Sequence, residues 1–95
     1  MAEKLPQDGT TLTIDTEYFV PGWSCSEGAI QIDNPAGDAV IIYGRLHADL
    51  SWQVIIDTSL TATNFIDRFL LPPYIKYANA DNTASTKVAI KKGKS

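Results

Sequence analysis

The chain has 95 residues, 44% of them apolar and 20% charged, with a net charge of −3. That length supports one domain around one core, which excludes a catalytic domain joined to a separate binding domain, and the apolar content excludes an intrinsically disordered chain. The charge is split: no Lys or Arg stands between Leu5 and Gly44, and the last nine residues carry four lysines without an acid, an acidic body with a basic tail that argues against a nucleic-acid partner.

Residues 1–10 read as a flexible arm, because Pro6 and Asp8-Gly9 interrupt regular structure and only Leu5 offers burial. This start lacks the apolar run of a signal peptide, and no stretch approaches the roughly 18 apolar residues of a membrane-spanning helix, so a soluble intracellular product without a membrane partner is expected. Thr11 to Thr16 alternates apolar and polar, which predicts a strand with Leu12 and Ile14 on its buried face. Tyr18-Phe19-Val20 stays extended up to a turn at Pro21-Gly22. The irregular stretch from Trp23 to Gly28 holds Cys25, the one cysteine, so no intrachain disulfide can form and a reducing compartment is expected.

Ala29 to Asp33 alternates again, Asn34 to Asp38 supplies five small or turn-type residues, and Ala39 to Ala48 resumes β character; together they predict a hairpin. Gly44 marks a bulge or a close backbone approach. Asp49-Leu50-Ser51 turns the chain into a second antiparallel partner, in which period two puts Trp52, Val54 and Ile56 on one face. Residues 61–71 carry two readings. Phe65, Ile66, Phe69 and Leu70 repeat as on a helix face with Thr63 as its N-cap, and an extended crossover fits as well. After Pro72-Pro73 a strand runs from Tyr74 to Asn79, a turn follows over 80–84, and a closing strand points Val88 and Ile90 inward and Lys87 and Lys91 outward, where lysines discourage edge pairing.

Short strands with turn signals roughly every ten residues predict an all-β sandwich or jelly roll over residues 11–92, with a short basic tail at 93–95. Its inward positions are expected to be Leu12, Ile14, Ile32, Val40, Ile42, Leu46, Trp52, Val54, Ile56, Tyr74, Val88 and Ile90.

His47, the one histidine, falls on the parity opposite Leu46 and reads as a surface imidazole. No G-x-S-x-G or other nucleophile signature accompanies it, so no catalytic residue is assigned and the chain is read as non-enzymatic. Asp33-Asn34, Asp38 and Asp81-Asn82 are oxygen-rich but match no calcium-loop spacing and suit β-turns; no phosphate-cradling glycine loop occurs, and no metal or cofactor is expected. The interaction candidates are Leu5 and Pro6 in the arm, Trp23 in its loop, and Lys87, Lys91, Lys92 and Lys94 at the basic end. Trp23 would stack on a sugar, anchor an interface or plug one end of the sandwich, and the lysines would meet an acidic surface or form a solvated terminus.

The segment Tyr43-Gly44-Arg45-Leu46-His47-Ala48-Asp49-Leu50-Ser51-Trp52-Gln53-Val54-Ile55, followed by Leu71-Pro72-Pro73-Tyr74-Ile75-Lys76-Tyr77 and Thr86-Lys87-Val88-Ala89-Ile90, resembles the second half of small jelly-roll accessory proteins of tailed bacteriophages. The resemblance covers residues 39–92. It implies a virion structural protein assembled in the host cytoplasm, a head decoration or cement protein on the outer capsid surface that binds the major capsid protein and self-associates, with a homotrimer at local three-fold positions as one arrangement. It transfers no functional residue to a position in this sequence. Two other classes stay open: a carbohydrate-binding module of a phage tail or fibre, using Trp23 or Tyr74, and a small host-directed inhibitor acting through the acidic 5–44 surface or a protruding loop.

Overall fold

A computed structural model describes residues 3–6, 8–20, 22, 27–58, 64–81 and 84–92, with the backbone alone at 65, 69 and 92. Among them run β1 (Glu3–Lys4), β2 (Asp8–Thr11), β3 (Glu17–Phe19), β4 (Glu27–Asp33), β5 (Val40–Arg45), β6 (Gln53–Asp57), β7 (Phe65–Leu70), β8 (Tyr74–Asn79) and β9 (Lys87–Lys92). A five-stranded sheet has the order β1-β3-β8-β5-β6 and a four-stranded sheet the order β2-β9-β4-β7. The protein is an all-β sandwich with a Cα radius of gyration of 12.3 Å.

One pattern accounts for the pairing. β5 pairs with β6, β4 with β7, β3 with β8 and β2 with β9, all antiparallel, so the chain is one long hairpin doubled back at the 46–52 loop. Its arms roll across the two sheets, which adds the β5–β8 and β4–β9 contacts. This is the jelly-roll arrangement. The 34–38 turn therefore joins β4 in one sheet to β5 in the other and does not form the expected local hairpin. The cause is local: Asn34 is wholly buried, its amide donating to the Asp38 carbonyl at 2.7 Å while its oxygen accepts the Asp38 N–H at 2.7 Å. Residues 65–70 are extended, in unbroken register with β4 from Glu27↔Leu70 to Ile32↔Phe65, so the helix reading of this segment gives way to the crossover.

Leu12, Ile32, Val40, Ile42, Val88 and Ile90 are buried between the sheets as their alternation requires, and Ile14 and Ile56 pack against them. The strand expected over 11–16 does not form: β2 runs over Asp8–Thr11 and meets that range only at Thr11, after which the chain leaves the sheet and turns at Asp15, whose φ of 58° is one that Asp tolerates. Leu46, Trp52, Val54 and Tyr74 are not in the core. A bulge explains Val54: Ile42 faces Ile56, but the next residue, Tyr43, faces Val54, so the extra residue Ile55 reverses the alternation and turns Val54 outward. Trp52, just before β6, lies half-buried over Arg45. In β8 the inward positions are Ile75, Tyr77 and Asn79, one step from the expected parity, which leaves Tyr74 outside.

The N-terminal segment departs from the expected flexible arm. β1 adds parallel to β3, the Leu5 N–H continues that ladder to the Phe19 carbonyl at 2.9 Å, and Leu5 is wholly buried. β2 then joins the other sheet beside β9, so β1 and β2 close one side of the sandwich.

Candidate functional site

At the doubled-back end, where β5, the 46–52 loop, β6 and the Leu70–Pro72 segment meet, the surface opens into an apolar groove of about 730 Å³ lined by Gly44, Leu46, Leu50, Ile55, Leu70 and Pro72, with Arg45, Ser51 and Gln53 at its polar margin. Leu46 is 66% exposed, Leu50 53% and Leu70 69%, large aliphatic side chains gathered in one place and left in water. Gly44 makes this shape. A Cβ there would stand 2.5 Å from Ile55 Cδ1 and 2.7 Å from Pro72 Cγ, so the absence of a side chain lets Ile55 and Pro72 close over β5. Of the two readings of Gly44, the close approach is the nearer, made by the Ile55 and Pro72 side chains; the bulge lies at Ile55 opposite Ile42 and Tyr43, and Gly44 itself pairs regularly with Gln53.

Arg45 braces the groove from behind. Its guanidinium donates to Glu17 Oε1 at 2.9 Å and to the Leu50 carbonyl at 3.2 Å, fixing the loop to β5. It lies 4.2 Å from the Trp52 ring centre and 5.5 Å from that of Tyr74, and the Lys76 ammonium lies 5.1 Å from Trp52 and 5.4 Å from Tyr43. The outer face of the five-stranded sheet is thus a cluster of aromatic rings already engaged by the chain's own cations. Arg45 Nε is buried there without a hydrogen-bond partner.

A second polar cluster sits inside the sandwich. Asp38 Oδ2 accepts from Asn79 Nδ2 at 2.9 Å and from the Thr86 hydroxyl at 2.8 Å, and Thr58 donates its hydroxyl to the Asp38 carbonyl at 3.0 Å. Asn79 Nδ2 also reaches the Tyr77 hydroxyl at 3.2 Å. Burial raises the Tyr77 phenol above its ordinary value, the Asn79 hydrogen bond lowers it in part, and the charges of Asp38 and Asp15 raise it further. These residues are buried and join the ends of four strands.

The residues singled out in the sequence do not converge. Leu5 belongs to the core; Pro6 is half-buried beside Lys4 and Asp8 at a shallow polar hollow of about 410 Å³. Lys87 and Lys91 are exposed, but β9 lies between β2 and β4 and is no edge, and they stand in register with Asp33 and Asp8. Thr10, through hydroxyl and backbone N–H, holds the Asp8 carboxyl below its ordinary value, with a smaller contribution from Lys91. Trp23, Lys94 and the Lys92 side chain lie outside the described residues, as does Cys25. His47 is exposed, its Nδ1 accepting the Asp49 N–H at 3.2 Å. Among the described residues no group of three or more His, Cys, Asp or Glu is placed to hold a metal ion. The groove was hidden from sequence reasoning because Leu46 reads as core by parity; the signal available was Gly44 inside β5, after its β-branched run.

No protein-family description matches this chain, and no curated protein or solved structure matches it either.

Proposed function

We propose that the chain is a non-enzymatic accessory protein of a tailed-phage particle, seating its apolar end on the major capsid protein at the outer capsid surface. The observation that carries this reading is the gathering of Leu46, Leu50, Ile55, Leu70 and Pro72 around one open groove, since a soluble domain leaves such a patch in water chiefly where a partner covers it. The segment 43–55, on which the phage resemblance rests most heavily, builds that same end. Jelly rolls serve viral capsid proteins and lectins alike, so the fold is compatible with the reading and the surface has to carry it.

The alternative, carbohydrate binding, draws on Tyr43, Trp52 and Tyr74, half-exposed on one sheet face; Arg45 and Lys76 compete for those rings, and a glycan array tests it. For the main reading, purified protein is sedimented with mature capsids of the particle whose genome encodes it. Saturable pelleting is expected, with a Leu46→Lys/Leu50→Lys variant losing about a hundredfold in affinity. Protein that stays in the supernatant at saturating concentration refutes the proposal.

A further inference from the structure

Four strands stand at the sheet edges: β1, β6, β2 and β7. β1 has two residues, β2 shifts register between Asp8 and Thr11, and β6 carries the Ile55 bulge, all features that discourage another strand from adding. β7 differs, with six residues in unbroken register along β4.

The direction of its free groups follows from alternation. The Val88 carbonyl serves the Leu12 N–H on the β2 side, so Ala89 and Lys91 turn their backbone groups to β4, and Ala29 and Gln31 answer them. Gly28, Ile30 and Ile32 then face β7, bonding positions 69, 67 and 65. Ile66, Arg68 and Leu70 are left to point their N–H and C=O groups outward. The Arg68 N–H agrees with this: it donates at 2.8 Å to Oδ1 of its own neighbour Asp67.

We propose that β7 is a guarded pairing edge, to which a second copy of this chain adds antiparallel about a two-fold axis through Arg68, with Asp67 setting the threshold by occupying the Arg68 N–H. A two-fold axis normal to a sheet requires one residue to face its own copy. Centring on Asp67 would oppose two carboxylates, which is unfavourable. Centring on Arg68 sets Ile66 against Leu70 of the second copy twice over, both 69% exposed in the single chain. The two guanidinium groups then meet with their charge already offset, because each has Glu27 Oε2 of its own chain at 3.6 Å. This interface is isologous and closes as a dimer, unlike the trimer that the phage resemblance implies.

Sedimentation velocity of the isolated protein over a concentration series tests this without any capsid, so it stands or falls apart from the function proposed above. Asp67→Ala removes the carboxylate that occupies Arg68 N–H and should tighten dimerisation about tenfold or more. Asp67→Asn keeps an acceptor oxygen and should tighten it less. Ile66→Glu, at an exposed position outside the groove, should leave a folded monomer. The proposal is overturned if Asp67→Ala associates no more tightly than the unaltered chain, if Ile66→Glu leaves association intact, or if the species formed is a trimer.

Discussion

At Gly44 the backbone of β5 passes beneath Ile55 and Pro72 with no room for a methyl group. Gly44→Ala should therefore destabilise the fold by about 1–3 kcal/mol, the usual cost of overpacking, measured as a lower urea midpoint at unchanged m-value. Asp38 decides more, because its carboxylate receives Asn79 and Thr86 from two other strand ends inside the sandwich. Asp38→Ala removes the acceptor that both share, leaving Asn79 Nδ2 the Tyr77 hydroxyl and Thr86 the Asn34 Oδ1 at 3.1 Å, and should cost about 1–3 kcal/mol in the same assay. A variant as stable as the unaltered chain would show the cluster to be dispensable. Tyr77 makes a prediction about pH. Its phenol is held above the ordinary value, chiefly by burial, so the folded state favours the neutral form. The stability this represents is fully present below about pH 10 and is lost as pH rises through the folded value. Tyr77→Phe should flatten the fall in melting temperature above pH 10, and an equally steep fall in that variant would assign alkaline unfolding to other groups.

Among the elements, the N-terminal segment makes the sharpest test, since β1 and β2 close one side of the sandwich and Leu5 fills the core beneath them. Leu5→Ala should cost about 2–5 kcal/mol, and removing residues 2–9 should lower the melting temperature distinctly. An unchanged melting temperature would return the segment to the arm that the sequence predicts. Pro6 looks like a breaker in sequence and lies between β1 and β2, while Asp8-Gly9, which look like breakers too, open β2 itself; both strands are too short to show periodicity. Where alternation is long and unbroken, as in β4 and β9, the buried positions Ile32, Val88 and Ile90 were legible from sequence; the run Val40-Ile41-Ile42 in β5 does not alternate, and its buried residues are Val40 and Ile42. Alternation misleads at β6, where one bulge residue reverses the parity of Val54, and at β8, where Tyr74 and Ile75 are equally good strand residues and only the pairing with β3 and β5 selects the inward one. The candidate groove was hidden for a related reason: Leu46 is aliphatic and in phase with Ile42, and Gly44 between them is the one local sign that the strand does not continue inward.

For the whole molecule, doubling the chain back at residues 46–52 puts that loop at one end of a rolled hairpin, and the groove forms there between the outer strands of both sheets, β6 and β7. The basic end of the chain matters less than its charge suggests. Lys87 and Lys91 stand in register with Asp33 and Asp8 on neighbouring strands, so acidic residues of the chain itself lie beside them, and exposed charges are screened by solvent and salt. On the function proposed, affinity for the capsid comes from the apolar end, with the lysines modulating its salt dependence. Hydrogen–deuterium exchange of the protein free and bound to capsids reads this directly. The account predicts new protection over residues 44–55 and 64–72, with β9 and the N-terminal strands unchanged. Protection confined to β9 and residues 3–11, with the 46–52 loop exchanging as fast as in the free protein, would contradict it.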